Sequence, residues 1–343
     1  MTPPNPLHPR ERPATWAVVL AFALVYTSWG TTYLAIRKGV HDEQLPPALF
    51  GGVRVCLAGL ILLGYLAVRG QPVRLTLSDL RVVALAGCIL FVGGNGLITL
   101  AETTVPSGVA AVLAATTPLW IGLLGMLWPG GERLSGRGWL GLAVGLCGVV
   151  VLLSPRLRDP ADFVRDLGPL LVIGSAFCWS FGSVLMRHQR LTGSHLVAAA
   201  YQMVIGGGCL ALIGLACGEV QHLPAAITPG AAGAFCYLLV VSSLVAFVAY
   251  NWLLGHVSAA QVGTYAYVNP AVAVVIAWAA GEEMTPWLLG GIAVILVGVA
   301  LVRAAGVRPS PPEEPQVIDE EPPHRNGTLA SADSPLPVGY DKR

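Results

Sequence analysis

The chain of 343 residues is 55% hydrophobic and only 11% charged, whereas a soluble globular protein carries about 25% charge, so water is excluded as its main solvent. Nineteen acids against twenty bases leave a formal charge of +1, and with no basic stripe interleaved with aromatics a nucleic-acid partner has no electrostatic support. Cys56, Cys88, Cys147, Cys178, Cys209, Cys217 and Cys236 fall inside apolar segments without CxxC spacing, which reads as small buried hydrophobes, not disulfides or metal ligands.

The first apolar segment starts near Ala14, after Arg10 and Arg12, and its length of about twenty residues exceeds the roughly 7 to 15 of a cleaved signal peptide. It reads as a retained membrane span. A membrane helix needs about 20 mostly apolar residues, and ten such segments follow one another: 14–35, 46–68, 81–100, 106–127, 137–153, 167–187, 195–217, 230–254, 259–280 and 285–303. The expected fold is an all-α polytopic membrane protein of ten helices. Residues 1–13 and the Pro-rich acidic stretch 304–343 read as disordered tails.

With the N-terminus in the cytoplasm, eleven arginines from Arg10 to Arg308 flank the inner ends, against Arg37, Lys38, Arg156, Arg158 and Arg165 outside. That bias places both termini on the cytoplasmic side of a cell inner membrane.

A shift of 150 lays Gly141-Leu-Ala-Val-Gly-Leu-Cys-Gly-Val-Val150 on Gly291-Ile-Ala-Val-Ile-Leu-Val-Gly-Val-Ala300 with six identities in ten, and it also superposes Trp29 on Trp179, Arg37 on Arg187 and Glu132 on Glu282. A shift of 152 superposes Pro118 on Pro270. The spans therefore divide into a five-helix unit at 14–153, a periplasmic linker at 154–166 and a second unit at 167–303. Five is odd, so the second copy enters from the opposite side, and such inverted repeats are the geometry from which alternating access arises.

Arg54 is the one charged residue well inside a span, where a lone Arg costs roughly 2.5–3.5 kcal/mol on insertion scales. At 1.5 Å per residue it lies roughly 12 Å deep, level with Asn95 of the third span. Two readings stand: Arg54 lines a solute path, or it forms a structural ion pair with Glu102 or binds helix-end carbonyls. Pro118 and Pro270 each free a carbonyl one turn earlier, and Thr116, Thr117, Tyr265, Tyr267 and Asn269 gather polar groups beside them. These mark either a substrate site with gating kinks at midplane or plain structural kinks.

Trp29 and Trp179 occupy matching repeat positions, and Gln202 lies near the repeat counterpart of Arg54. Aromatic walls with few polar groups suit an organic solute, although an interfacial belt also explains single tryptophans. Gly141 and Gly145, like Gly291 and Gly298, bring small residues to one helix face; close packing accounts for them, with homodimerisation the weaker option. Glu102, at the outer end of the third span, is the nearest candidate for proton coupling.

No acid lies mid-span and the seven histidines sit in loops, tails or span ends, so no metal site, cofactor site or catalytic triad assembles. A small-molecule carrier is the first reading. A membrane sensor or scaffold, with the bundle as its anchor, is the alternative, and a membrane enzyme on a lipid-linked substrate ranks last.

Five segments carry a resemblance: Ser28-Trp-Gly-Thr-Thr-Tyr-Leu-Ala-Ile-Arg37, Gly94-Asn-Gly-Leu-Ile-Thr-Leu-Ala-Glu102, Val105-Pro-Ser-Gly-Val-Ala-Ala111, Trp179-Ser-Phe-Gly-Ser-Val184 and Tyr265-Ala-Tyr-Val-Asn-Pro-Ala-Val-Ala-Val274. Over about residues 14–303 the chain resembles the EamA type of the drug/metabolite transporter superfamily, and within it the YedA-like inner-membrane members. The resemblance implies ten helices in two inverted EamA repeats, cytoplasmic termini, and export of amino acids, related metabolites or toxic compounds. The long acidic tail departs from the usual pattern of that family.

Overall fold

The computed structural model describes residues 14–128, 135–157, 167–189, 191–256 and 265–304. Both expected tails, Glu132, Arg133, Arg158, Arg165, Arg190, the first residues of the ninth span and the side chain of Tyr267 lie outside the described part. Among the described residues the regular structure is helical, with no strand.

Chain order runs α1 (Thr15–Asp42), α2 (Pro47–Val68), α3 (Leu77–Ala101), α4 (Ser107–Leu127), α5 (Gly136–Leu157), α6 (Gly168–Arg187) and α7 (His195–Ala216). After these come α8, from Pro229–Tyr237 through to Ala246–His256, α9 (Tyr265–Ala279) and α10 (Pro286–Ala304). Eight helices are long and apolar enough to cross a membrane, and the apolar stretches of α9 and α10, Val268–Ala279 and Pro286–Val302, are shorter.

Polarity is distributed inside out relative to a water-soluble bundle. Val68, Leu127, Leu212 and Trp278 stand exposed, while Ser28, Arg54, Thr99, Glu102, Ser175, Ser180, Gln202, Ser243 and Asn269 are buried. In hydrocarbon an apolar exterior costs nothing, and every polar group needs a partner inside the protein.

The helices α3, α7 and α8 start where a hydroxyl satisfies a free backbone N–H group. The Thr76 hydroxyl accepts from Asp79 N at the start of α3, and the Thr228 hydroxyl accepts from Ala231 N at the start of α8. Both helices then widen into π-helical segments, Cys88–Gly96 in α3 and Leu238–Val245 in α8. The two segments begin 150 residues apart, and π geometry inside an α-helix frequently marks a functional site.

The helices pair across the chain: α2 lies along α7, α5 along α10, the widened part of α3 against α6, and α1 against α8 and α9. Glycine permits the closest approaches. A Cβ on Gly52 would stand 2.3 Å from Ala211 N, one on Gly207 2.5 Å from Cys56 N, and one on Gly298 2.3 Å from Gly145 N. The small faces of α5 and α10 are thus filled by each other within one chain.

A side chain at such a position must force two backbones apart. Gly298→Val is expected to cost at least ~3 kcal/mol, the top of the range for overpacking, and to remove the monodisperse peak in size-exclusion chromatography of the detergent-solubilised protein. Gly64→Ala, where nothing stands within 4 Å of the added Cβ, is expected to keep that peak and to gain about 0.5–1 kcal/mol of helix propensity.

Candidate functional site

Arg54 is 2% exposed on α2, and its guanidinium spans the two widened helices. One terminal nitrogen donates to Ser243 Oγ of α8 at 3.0 Å and the other to Asn95 Oδ1 of α3 at 3.1 Å. Its Nε–H is buried without a partner. Among the described residues no carboxylate lies within ion-pair distance of it, so the charge is held by two neutral acceptors. Glycine at position 51 leaves room for this arrangement, since a Cβ there would stand 3.2 Å from Asn95 Oδ1.

A second group of residues meets the same π segment of α8. Trp29 Nε1 donates to Ser242 O at 3.3 Å, and the hydroxyls of Thr32 and Ser242 are 2.8 Å apart. The Trp29 ring contacts Tyr250 and Tyr265, each at 5.2 Å between centroids, and the two tyrosines lie edge to face at 5.9 Å. Because α1 continues through a π turn to Asp42, Trp29 lies near its middle, deeper than a helix ending near residue 35 would place it. Asn269 of α9 is buried nearby, with its main-chain oxygen beside Gly30 and its Oδ1 unpartnered.

The other wall is built on α3. Trp179 of α6 packs edge to face on Phe91 at 6.0 Å, and a Cβ on Gly94 would stand 3.0 Å from its ring. Ser175 Oγ donates to Gly94 O at 2.6 Å. Trp29 and Trp179 therefore each lean on the π segment contributed by the other half of the sequence. Gln202 is buried on α7, where its main chain lies against Gly87 of α3.

The proline of α4 falls at a break. The helix runs Ser107–Ala114, turns, and restarts at Thr117–Leu127 with Pro118 in its first turn. The carbonyl that Pro118 frees is Ala114 O, which accepts from Thr117 Oγ1 at 2.7 Å, while Thr117 O accepts from Ser180 of α6 at 3.1 Å. Pro270 sits within the continuous helix α9.

At the far end of α3, Glu102 is fully buried and neither carboxylate oxygen has a hydrogen-bond partner. Beside it Arg37 donates to Val105 O at 2.8 Å and lies 3.6 Å from Glu282. Glu282 in turn accepts from the N–H groups of Ser107 and Gly108 at 3.0 Å each, capping α4. A crevice of about 950 Å³ opens at this rim, lined by Arg37, Pro106, Glu282 and Leu288 among others.

The structure thus joins Arg54 to Asn95, and Trp29 to Tyr265 with Asn269 close by, while Trp179 packs against α3 from α6 and Gln202 from α7. Sequence reasoning missed Ser242, Ser243, Tyr250 and Phe91. The serine pair had a signal, two polar residues in the middle of an otherwise apolar span; Tyr250 and Phe91 had none.

Comparison with known proteins adds a family context. The sequence profile of the EamA-like transporter family matches residues 15–154 and again residues 166–304. The inner membrane transporter YedA of Escherichia coli K12 is 37% identical over 281 residues, covering 80% of this chain and 87% of its own. The transporter YvbV of Bacillus subtilis is 27% identical over 298 residues, 84% of this chain and 91% of its own. A protein named "probable amino-acid metabolite efflux pump" in Escherichia coli K12 is 23% identical over 295 residues, 83% of this chain and 94% of its own. One crystal structure aligns with a TM-score of 0.57 at 23% identity, covering 84% of this chain and 98% of that one, a likeness of fold.

Thr117→Val keeps the shape of the side chain but strips the donor from the carbonyl that Pro118 leaves open. The expected loss is about 1 kcal/mol, seen as a lower unfolding temperature of the purified protein, with Thr117→Ser close to wild type.

Proposed function

Because the chain belongs to the EamA-like transporter family, we propose that it is an inner-membrane carrier that exports small organic metabolites bearing a carboxylate, by alternating access around Arg54. In this reading ten helices form two inverted five-helix repeats at 14–153 and 167–303, with both termini in the cytoplasm. Three observations support the repeats: the family profile matches twice, the π segments of α3 and α8 begin 150 residues apart, and α2 pairs with α7 as α5 pairs with α10.

The observation that carries the solute class is Arg54 itself, buried with no carboxylate within ion-pair distance among the described residues and held by Asn95 and Ser243. Neutral acceptors orient a guanidinium without neutralising it. A carboxylate adds charge-assisted, potentially bidentate bonds that neither Asn nor Ser supplies, in a setting where a lone buried charge is costly. Trp29, Tyr250 and Tyr265 on one side and Trp179 with Phe91 on the other offer aromatic walls for the apolar body of the solute, and Gln202 and Asn269 offer polar contacts.

Motion falls to the places where regular hydrogen bonding is already broken: the two π segments, the turn before Pro118, and the point within α9 where Pro270 removes a donor. Arg54 bonds to both π segments at once, so a carboxylate that draws the guanidinium away loosens α3 from α8. The efflux pump among the relatives favours amino acids and their derivatives as the first solutes to try.

Counterflow of radiolabelled L-threonine, L-leucine and L-alanine into proteoliposomes tests this reading. Arg54→Ala is expected to lower the initial rate about tenfold or more, the loss of one charge-assisted contact. Arg54→Lys should retain part of it, and Asn269→Ala should cost less than Arg54→Ala. Folded Arg54→Ala protein that carries these solutes at the wild-type rate removes Arg54 from the path.

A further inference from the structure

Glu102 remains without a role in this scheme. Its carboxyl is fully buried in a core that includes Ile98, Ala101, Val105 and Leu113, and both oxygens lack partners. An ionised carboxylate in such surroundings is expensive unless charge or hydrogen bonds compensate it.

The charged and titratable groups that face it are few. From α1 come Tyr33 and Arg37, from α2 comes Arg54, and from the connection before α10 comes Glu282. Arg37, which also serves Glu282 and Val105 O, and Arg54 are the two cations that act on Glu102. From α4 and α6 the same core receives apolar residues, Ala110 and Val172 among them. Among the described residues no carboxylate lies within ion-pair distance of the buried Arg54, and no cation lies within ion-pair distance of the buried Glu102.

Their placement on α3 links the two. Asn95, which binds Arg54, Thr99, whose hydroxyl donates to Asn95 O at 2.7 Å, and Glu102 follow at positions i, i+4 and i+7. They share one helix face, and Glu102 stands about 10 Å along the axis from Asn95. At that separation, unit charges in a protein of effective dielectric ~20 alter each other's ionisation by roughly tenfold.

We propose that Glu102 is a proton-binding site linked to the solute site, taking up one proton as a solute carboxylate settles on Arg54, so that carboxylate and proton cross in the same direction and export runs down the solute's own outward gradient, carrying the proton out with it. This rests on the reading that Arg54 receives a carboxylate. The charge balance is direct: in the empty carrier the Arg54 cation offsets an ionised Glu102, and the solute carboxylate claims that cation. Glu102 then takes up a proton from the aqueous side: one O–H bond of hydronium breaks, the O–H bond of the carboxylic acid forms, and a neutral water molecule is left. The crevice lined by Arg37 and Glu282 lies on the side of those two neighbours of Glu102 and offers water a near approach.

The linkage is tested first without any solute. Infrared titration of the full-length protein in detergent follows the carboxylic-acid C=O band that is lost in Glu102→Gln. In Arg54→Gln the midpoint of that band is expected about one pH unit higher than in wild type; an unchanged midpoint overturns the linkage whether or not the protein transports anything.

The second arm measures L-threonine uptake into proteoliposomes with and without an inward proton gradient, with a pH dye inside. Wild type is expected to respond several-fold to the gradient and to acidify the lumen. The ratio falls to about one in Glu102→Gln and recovers in Glu102→Asp. A wild-type-like ratio in Glu102→Gln, or alkalinisation of the lumen by wild type, overturns the proposal. Failure of L-threonine uptake with an intact infrared shift counts against the carrier reading and leaves the linkage standing.

Discussion

A guanidinium inside a membrane bundle has to be solvated by the protein, and much of this fold answers to that demand at Arg54. Two helices from different halves of the chain each open into a π segment, and each sends one acceptor to the same side chain, Asn95 from α3 and Ser243 from α8. Regular α-helices would direct their polar groups into their own ladders. The widened turns instead aim them at the centre, at a cost in regular helix geometry. The Nε–H that remains unpartnered is the part of the demand the protein does not meet on its own.

The rest of the packing holds this centre in place. Glycine pairs let α2 press on α7 and α5 on α10 at backbone contact, which fixes those pairs by dispersion where no hydrophobic effect acts between helices. The contacts of α1 with α8 and of α6 with α3 and α4 include single polar links: Trp29 to Ser242, Ser175 to Gly94 and Ser180 to Thr117. Helices tied by single hydrogen bonds shift more easily than helices interlocked through glycine. Tight glycine pairs beside polar contacts form a suitable frame for a carrier.

Much of this was legible in the residues. The apolar segments predicted where helices run, since backbone polar groups in a bilayer have no alternative partner, and the ends of α2, α6, α7 and α10 fall within one or two residues of the expected ones. Arg54 and Asn95 were paired from depth alone. The repeat offset also pointed to Trp29 and Trp179 as a related pair.

Other features had no sequence signature. A π segment looks like any apolar stretch, because its extra residue per turn follows from neighbours and not from composition, so the acceptor role of Ser243 stayed hidden. The α-helical part of α1 runs past the expected end at residue 35 to Arg37, which lies at the rim beside Glu282, a contact between residues 245 positions apart that no local pattern records. Glu102 was readable as an acid near a span end; its complete burial is a property of the folded bundle. By itself the sequence determined that the chain is a membrane helix bundle with an internal repeat and a charge that must be buried, because hydrophobicity and spacing are properties of each segment alone. Only the tertiary structure decided which groups meet that charge and which acid is left unpaired, because helix rotation and π widening are set by contacts between segments.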